Sequence, residues 1–217
     1  MKSFNLFLLV GLLIWFTYSH IAFGIVGPFT ASAFTCLQSS VPGSFQYVVV
    51  RAYQNSHSPA GIDPNALQTM QNAYAAGYSN DVYIEICRGI NATSQINLVN
   101  TDIINRLKSN SQDNFRGLFY IKVKSSIHPD CSWESYGHSD NCNFLKEAAN
   151  AVQNIGWSPV IFSTSLIWKQ FFGSSCDTFA SDSNAWLEYA NYDATGHVSS
   201  TQSFADFVPF GGWTVAS

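Results

Sequence analysis

The chain has 217 residues, enough for one domain with a sizeable core. Apolar residues make up 47% and charged residues 11%, with seventeen Phe and ten Tyr, a composition that excludes a disordered polypeptide. The formal net charge of −4 offers no basic field for phosphates, so a nucleic-acid partner is excluded as well.

Residues 1–22 read as a secretory signal. Met1 and Lys2 give a short basic start, and 6-LFLLVGLLIWF-16 is an apolar stretch of eleven residues. A membrane span needs about twenty, so an anchor is the weaker reading. Small residues at Ser19, Ala22 and Gly24 mark the region of cleavage. The expected mature domain is 23–217, in the extracellular space or a lysosomal or vesicular lumen, with no stable membrane insertion.

Next, 45-FQYVVVRAY-53 is a β-branched run with aromatic flanks and predicts a buried strand. Asp63-Pro64 opens a helix over 65–77, closed by Gly77, with Leu67, Met70, Gln71 and Tyr74 on its inner face. A strand is expected at 81–87. A helix at 94–110 carries Ile96, Val99, Ile103 and Leu107 at helical spacing. Residues 117–124 predict a third strand, 128–142 a polar crossover loop, and 143–156 a helix closed by Gly156. A strand at 158–164, a short helix at 165–173 and a strand-like run at 185–193 follow. The end, 204-FADFVPFGGW-213, is aromatic and turn-rich.

Short strands alternating with longer helices predict an α/β fold with mostly parallel pairing. The rising series of βα units favours a β/α barrel or flattened barrel. No Gly-rich phosphate loop follows the first strand, so no dinucleotide cofactor is implied.

All five cysteines (Cys36, Cys87, Cys131, Cys142 and Cys176) lie after the signal, and export makes disulfides the expected state. Five is odd, so one is left over within the chain. Cys131 and Cys142 flank a polar loop and are the expected bridge. No CxxC pair supports zinc, and His128, His138 and His197 have no metal spacing, so no metal is expected. Asn91-Ala92-Thr93 is a glycosylation acceptor in an exported chain.

The stretch 117-GLFYIKVKSS-126 sets Lys122 and Lys124 two residues apart, hence on one face of a strand. In β/α folds the ligand site lies at the carboxyl ends of the strands, where these lysines fall. Facing an interior, two ammonium groups must reach water or meet carboxylates. An equally simple reading is a solvated face at an edge or mouth.

The segments 34-FTCLQ-38, 47-YVVVRAYQ-54, 62-IDPNA-66, 69-TMQNAYAAGY-78, 82-VYIEIC-87, 186-WLEYANYD-193 and 204-FADFVPFGGW-213, in this order, resemble the glycoside hydrolase family 25 lysozymes of the short secreted nematode and amoeba type. The resemblance spans about residues 23–213. It implies a distorted TIM-like β/α barrel that cleaves the muramic acid to glucosamine linkage of peptidoglycan with acids at strand ends. In that pattern the third strand carries Asp and then Glu, where this chain has Lys122 and Lys124. A further Asp falls at or near Gly24. Where the pattern reads aromatic-Ala-His-Tyr, this chain has Tyr189-Ala190-Asn191-Tyr192, and Glu188 takes a usual Trp position. The family also continues past Gly-Gly-Trp, so the barrel is expected to lack its closing strand.

Glycoside hydrolysis needs a protonated acid and a negative group at an oxocarbenium-like centre. Lysines at these positions act against that transition state. The expected function is therefore a lysozyme-like protein of innate defence or digestion that binds bacterial cell-wall glycan or a related polysaccharide without cleaving it. Arg51, Tyr83, Tyr120, Tyr189, Asn191 and Tyr192 are the ligand-binding candidates. The alternative is an active muramidase with relocated acids, Glu85 and Glu188 first, with Asp81, Glu134 and Asp193 behind them. A structural or signalling protein is the third reading.

Overall fold

The computed structural model describes residues 23–40, 47–56, 59–189 and 207–214. Its centre is a seven-stranded sheet of β1 (Phe23–Ile25), β2 (Tyr47–Gln54), β3 (Gly61–Ile62), β4 (Ser79–Glu85), β5 (Phe115–Lys122), β6 (Ser158–Ser163) and β7 (Trp186–Tyr189). The spatial order β1-β2-β4-β5-β6-β7 is the chain order, and every pair along it is parallel. Only β3 is antiparallel, pairing with β2 and making the sheet mixed.

The helices are α1 (Ala31–Ser40), α2 (Ala66–Ala75), α3 (Ala92–Val99), α4 (Asn105–Ser109), α5 (His138–Asn154), α6 (Ser165–Phe172) and α7 (Phe179–Ser183). A π-helical turn, Asn100–Ile104, joins α3 to α4, so the helix expected over 94–110 widens in its middle. The helices and one sheet face share a single core, to which the strands contribute Val48, Val50, Val82, Ile84, Phe119 and Ile121. The opposite face has its own small cluster of strand residues, Tyr47, Val49, Tyr83, Tyr120 and Val160. Alternation along each strand separates the two sets. No β1–β7 pairing occurs among the described residues.

Several local expectations are corrected by packing. The expected Cys131–Cys142 bridge does not form. Cys87 pairs with Cys131, and Cys142 with Cys176. The reason is position: Cys142 lies inside α5, which starts at His138 rather than 143, and it faces the segment between α6 and α7. Cys131, in a 3-10 turn at Pro129–Cys131, instead meets the end of β4. Gly89 permits this approach, since a Cβ there would overlap the backbone carbonyl oxygen of Asp130. Cys36, exposed on α1, takes part in neither bridge.

The polar crossover also hides a core residue. Trp133 is fully buried, stacked on Phe171 at 5.9 Å and edge-on to Phe144 and Phe172. On α2 the buried face is Ala66, Thr69, Met70 and Ala73, while Tyr74 is exposed. The face turns because Thr69 is satisfied inside. Its Oγ1 donates to the Gly27 carbonyl at 3.1 Å and accepts from the Phe29 N–H at 3.3 Å. Helix α1, for which no boundary signal was read, is capped by Thr30, whose Oγ1 accepts from the Ala33 N–H.

Asp81, near the amino end of β4 on the same face as Tyr83, is completely buried. Its Oδ1 accepts from the Leu118 N–H at 3.1 Å, and Arg116, stacked on Tyr47, lies 3.7 Å from Oδ2. Burial pushes its pKa up to about 7, against the Leu118 hydrogen bond and the Arg116 charge.

Two outcomes follow for the folded chain. Non-reducing digestion with trypsin and chymotrypsin, which cuts between Cys131 and Cys142 at Trp133 and Tyr136, is expected to yield peptides joined 87–131 and 142–176 on mass analysis. A 131–142 pair is the contrary result. In the chain-entropy view each bridge contributes about 4 kcal/mol. Second, the native chain keeps the Asp81 proton that the unfolded chain loses above about pH 4. Stability is therefore expected to fall as pH rises from about 4 to 7, by at most about 1.4 kcal/mol per unit from this group. Asp81→Asn removes that titration, so the difference in Tm between variant and wild type should change across this window. A constant difference would show that Asp81 is already ionised at low pH.

Candidate functional site

The parallel register aligns one residue from each of four strands at their carboxyl ends. Glu85 of β4 is opposite Lys122 of β5, Lys122 is opposite Phe162 of β6, and Phe162 is opposite Glu188 of β7. Two residues earlier, Tyr83, Tyr120, Val160 and Trp186 form a second row on the same face. The candidate site is this pair of rows, with Arg51 of β2 at one end.

Arg51 is mostly buried and multiply engaged. Its Nε donates to Asp63 Oδ2 at 2.8 Å, one terminal nitrogen donates to Gln54 Oε1 at 3.0 Å, and the other lies 3.8 Å from Glu85 Oε2. Asp63, 2% exposed, also accepts from the Asn65 N–H through Oδ1 at 3.0 Å, which ties the start of α2 to the site. Lys124, just past the end of β5, donates from Nζ to Glu85 Oε1 at 2.8 Å. Glu85 is 4% exposed, and its Oε2 accepts no hydrogen bond. Two cationic side chains thus lie against one buried carboxyl group, Lys124 in direct hydrogen bond and Arg51 at 3.8 Å.

Lys122 is placed differently. Its Nζ lies 5.0 Å from the Phe162 ring centre and 5.8 Å from that of Tyr83. It makes no direct ion pair among the described residues. Burial lowers its pKa, with the Glu85 charge opposing and the Lys124 charge adding to the effect. Glu188 mirrors it: burial raises its pKa, and the Lys122 charge pulls it back. The Tyr83 hydroxyl is pushed up to about 12 by burial and by Glu85. Burial, then the charges of Glu188 and Asp81, raise that of Tyr120.

The sequence candidates therefore separate. Arg51, Glu85, Lys122 and Lys124 converge, with Tyr83 and Tyr120 in the row beneath. Gly24 lies in β1 opposite Val49, and Tyr189 ends β7 opposite Ser163 in register. Asn191 and Tyr192 lie outside the described residues. Two further rings lie elsewhere: Tyr53 is in the helix-side core, and Trp213 packs against Trp168 and Phe179. Asn91 is exposed and caps α3, accepting from the Ser94 N–H, while its Nδ2 donates to Glu147 Oε1 at 3.0 Å. No group of three or more metal-ligating side chains comes together among the described residues.

Two site residues escaped the sequence reading. Asp63 was read only as a helix opener, yet it is the main partner of Arg51. Trp186 is 63% exposed in the same row as Tyr83 and Tyr120. Its signal was its place two residues before Glu188, which period-2 alternation assigns to one face.

Comparison with known proteins bears on what such a face belongs to. Residues 17–217 match the family model described as Lysozyme-like protein 1. The chain is 27% identical over 190 residues to "Probable GH family 25 lysozyme 2" of Dictyostelium discoideum, covering 87% of this chain and 76% of that protein. It is 29% identical over 192 residues to "Lysozyme-like protein 3" of Caenorhabditis elegans, covering 87% and 58%. It is 27% identical over 192 residues to "Counting factor 45-1" of D. discoideum, covering 87% and 56%. The chain thus spans little more than half the length of two of these three relatives. No solved structure matches it. No helix among the described residues is long and apolar enough to cross a membrane. Because the family match runs over nearly the whole chain, this protein belongs to the lysozyme-like protein 1 family.

Proposed function

We propose that this protein is an exported lysozyme-like protein that binds cell-wall glycan without cleaving it, on a flattened β/α barrel. The observation that carries the reading is the charge arrangement at the carboxyl ends of β4 and β5. Lys122 and Lys124 stand there, and Glu85, the nearest carboxylate, is held by Lys124 and faced by Arg51. Glycoside hydrolysis needs a protonated acid at the leaving oxygen and a negative group beside a developing positive centre. A compensated Glu85 offers little of the second, and the Lys122 ammonium opposes it. The apolar start of the chain and the two disulfides support export. Sequential strand order with helices on one face supports the barrel, since the other face must curl to shield itself. Glycan as ligand is supported by the names of the relatives and by the ring-bearing row of Tyr83, Tyr120 and Trp186.

One observation favours a second reading, an active hydrolase with relocated acids. Glu188 is half-buried with a raised pKa, the property of a proton donor. Against it, a glycosidase needs a second carboxylate beside the proton donor, and Glu85 is already hydrogen-bonded by Lys124 and faced by Arg51.

The test uses the full secreted chain with insoluble peptidoglycan. The protein is expected to sediment with the polymer and to release no reducing ends above a buffer control. Release that disappears in Glu188→Gln or Glu85→Gln would establish the relocated-acid hydrolase. Absence of both sedimentation and release would leave a structural or signalling role.

A further inference from the structure

Three cations stand at the carboxyl end of the sheet, and two are already matched. Arg51 is hydrogen-bonded to Asp63, and Lys124 to Glu85. Lys122 differs. It is half-buried against Phe162 and Tyr83, and among the described residues no carboxylate reaches its Nζ as an ion pair. Burial has removed part of the water from this ammonium, and the described residues supply no hydrogen-bonded anion in exchange. The charged groups around it come from four strands: Arg51, Glu85, Lys124 with Lys122 itself, and Glu188. The Glu85 charge acts on Lys122, but its hydrogen bond goes to Lys124 and its other oxygen faces Arg51. Glu188 is one strand beyond Phe162 in the row.

An ammonium of this kind is a binding position for one negative charge. The aromatic side chains next to it define what carries that charge. The Phe162 ring flanks Nζ at 5.0 Å, and Tyr83, Tyr120 and the exposed Trp186 occupy the adjacent row. A cation beside such rings, with no direct ion pair among the described residues, suits a ring-shaped ligand with one carboxylate. A phosphate, with its greater charge, calls for several N–H donors.

We infer that Lys122 is a carboxylate-recognition residue, and that the saccharide held at this site is an acidic one whose carboxylate meets the Lys122 ammonium. This rests on the glycan-binding reading above and specifies its ligand class. The lysine that replaces a catalytic acid in the family pattern thereby acquires a role of its own. Two sources present this chemistry: the lactyl carboxylate of a muramic acid saccharide that bears no stem peptide, and the C6 carboxylate of a uronic acid.

The experiment is calorimetric titration of the full secreted chain with four probes. These are a disaccharide of N-acetylglucosamine and N-acetylmuramic acid, the same disaccharide with its carboxyl reduced to an alcohol, an oligogalacturonate, and a neutral N-acetylglucosamine oligomer. The acidic disaccharide is expected to bind about tenfold more tightly than its reduced form, equivalent to about 1.4 kcal/mol. Lys122→Met is expected to bring that ratio to about one, while Lys122→Arg keeps most of it. Whichever acid binds more tightly identifies the source of the carboxylate. Equal affinity of wild type for the acidic and reduced disaccharides, with oligogalacturonate no better than the neutral oligomer, would overturn the inference and leave glycan binding intact. A preference that survives Lys122→Met would overturn the assignment to Lys122. Failure of all four probes to bind would instead remove the glycan-binding reading itself. The wild-type comparison needs no variant, so it stands even if Lys122→Met does not fold.

Discussion

The buried Glu85 carboxylate is the interaction around which the site is arranged. A carboxyl group 4% exposed at the end of a central strand needs polar partners. Lys124 supplies a direct hydrogen bond, and Arg51 supplies charge from the other side. Arg51 in turn is aimed by Asp63, and Asp63 accepts from the backbone at the entrance of α2. One carboxylate thus links the ends of β2, β4 and β5 to the first helix turn behind β3. Lys122, opposite Glu85 in register, feels its charge without a direct ion pair to it.

This arrangement depends on a sheet with two unlike faces. The helix-facing side is continuous apolar packing, reinforced by the Trp133 and Trp168 aromatic clusters. The other side alternates rings with charged groups: Asp81 low in the sheet, Tyr83 and Tyr120 in the middle, Glu85 and Lys122 at the mouth. Such a face is poor as core and well suited to a polar ligand with ring surfaces. Two disulfides, buried in the helix-side core, fix segments around it. Cys87–Cys131 anchors the segment that follows Lys124 to the end of β4, two residues after Glu85. Cys142–Cys176 ties α5 to the segment after α6.

Much of the architecture was legible because strand alternation and helix spacing are local. The runs 47-YVVVRAYQ-54 and 158-SPVIFST-164 declare themselves by β-branched content, and the helices around them by apolar spacing. The errors share one cause. Trp133 and Cys142 lie in a segment of polar composition, yet both are buried, because Asn141 satisfies the carbonyls of Trp133 and Phe171 and lets the segment pack inward. Thr69 turns the α2 face for a similar reason. A polar residue with internal partners behaves as core, and composition alone does not show where partners are.

The sequence by itself determined the alternating α/β order and the shared face of Lys122 and Lys124. These are properties of residue type and short-range spacing. Only the tertiary structure decided which carboxylate Lys124 meets, which cysteines pair, and why Asp81 and Glu188 hold their protons more tightly than usual. Those outcomes join residues 34 to 44 positions apart or depend on burial. Strand register and desolvation set them, and both arise only once the sheet is assembled.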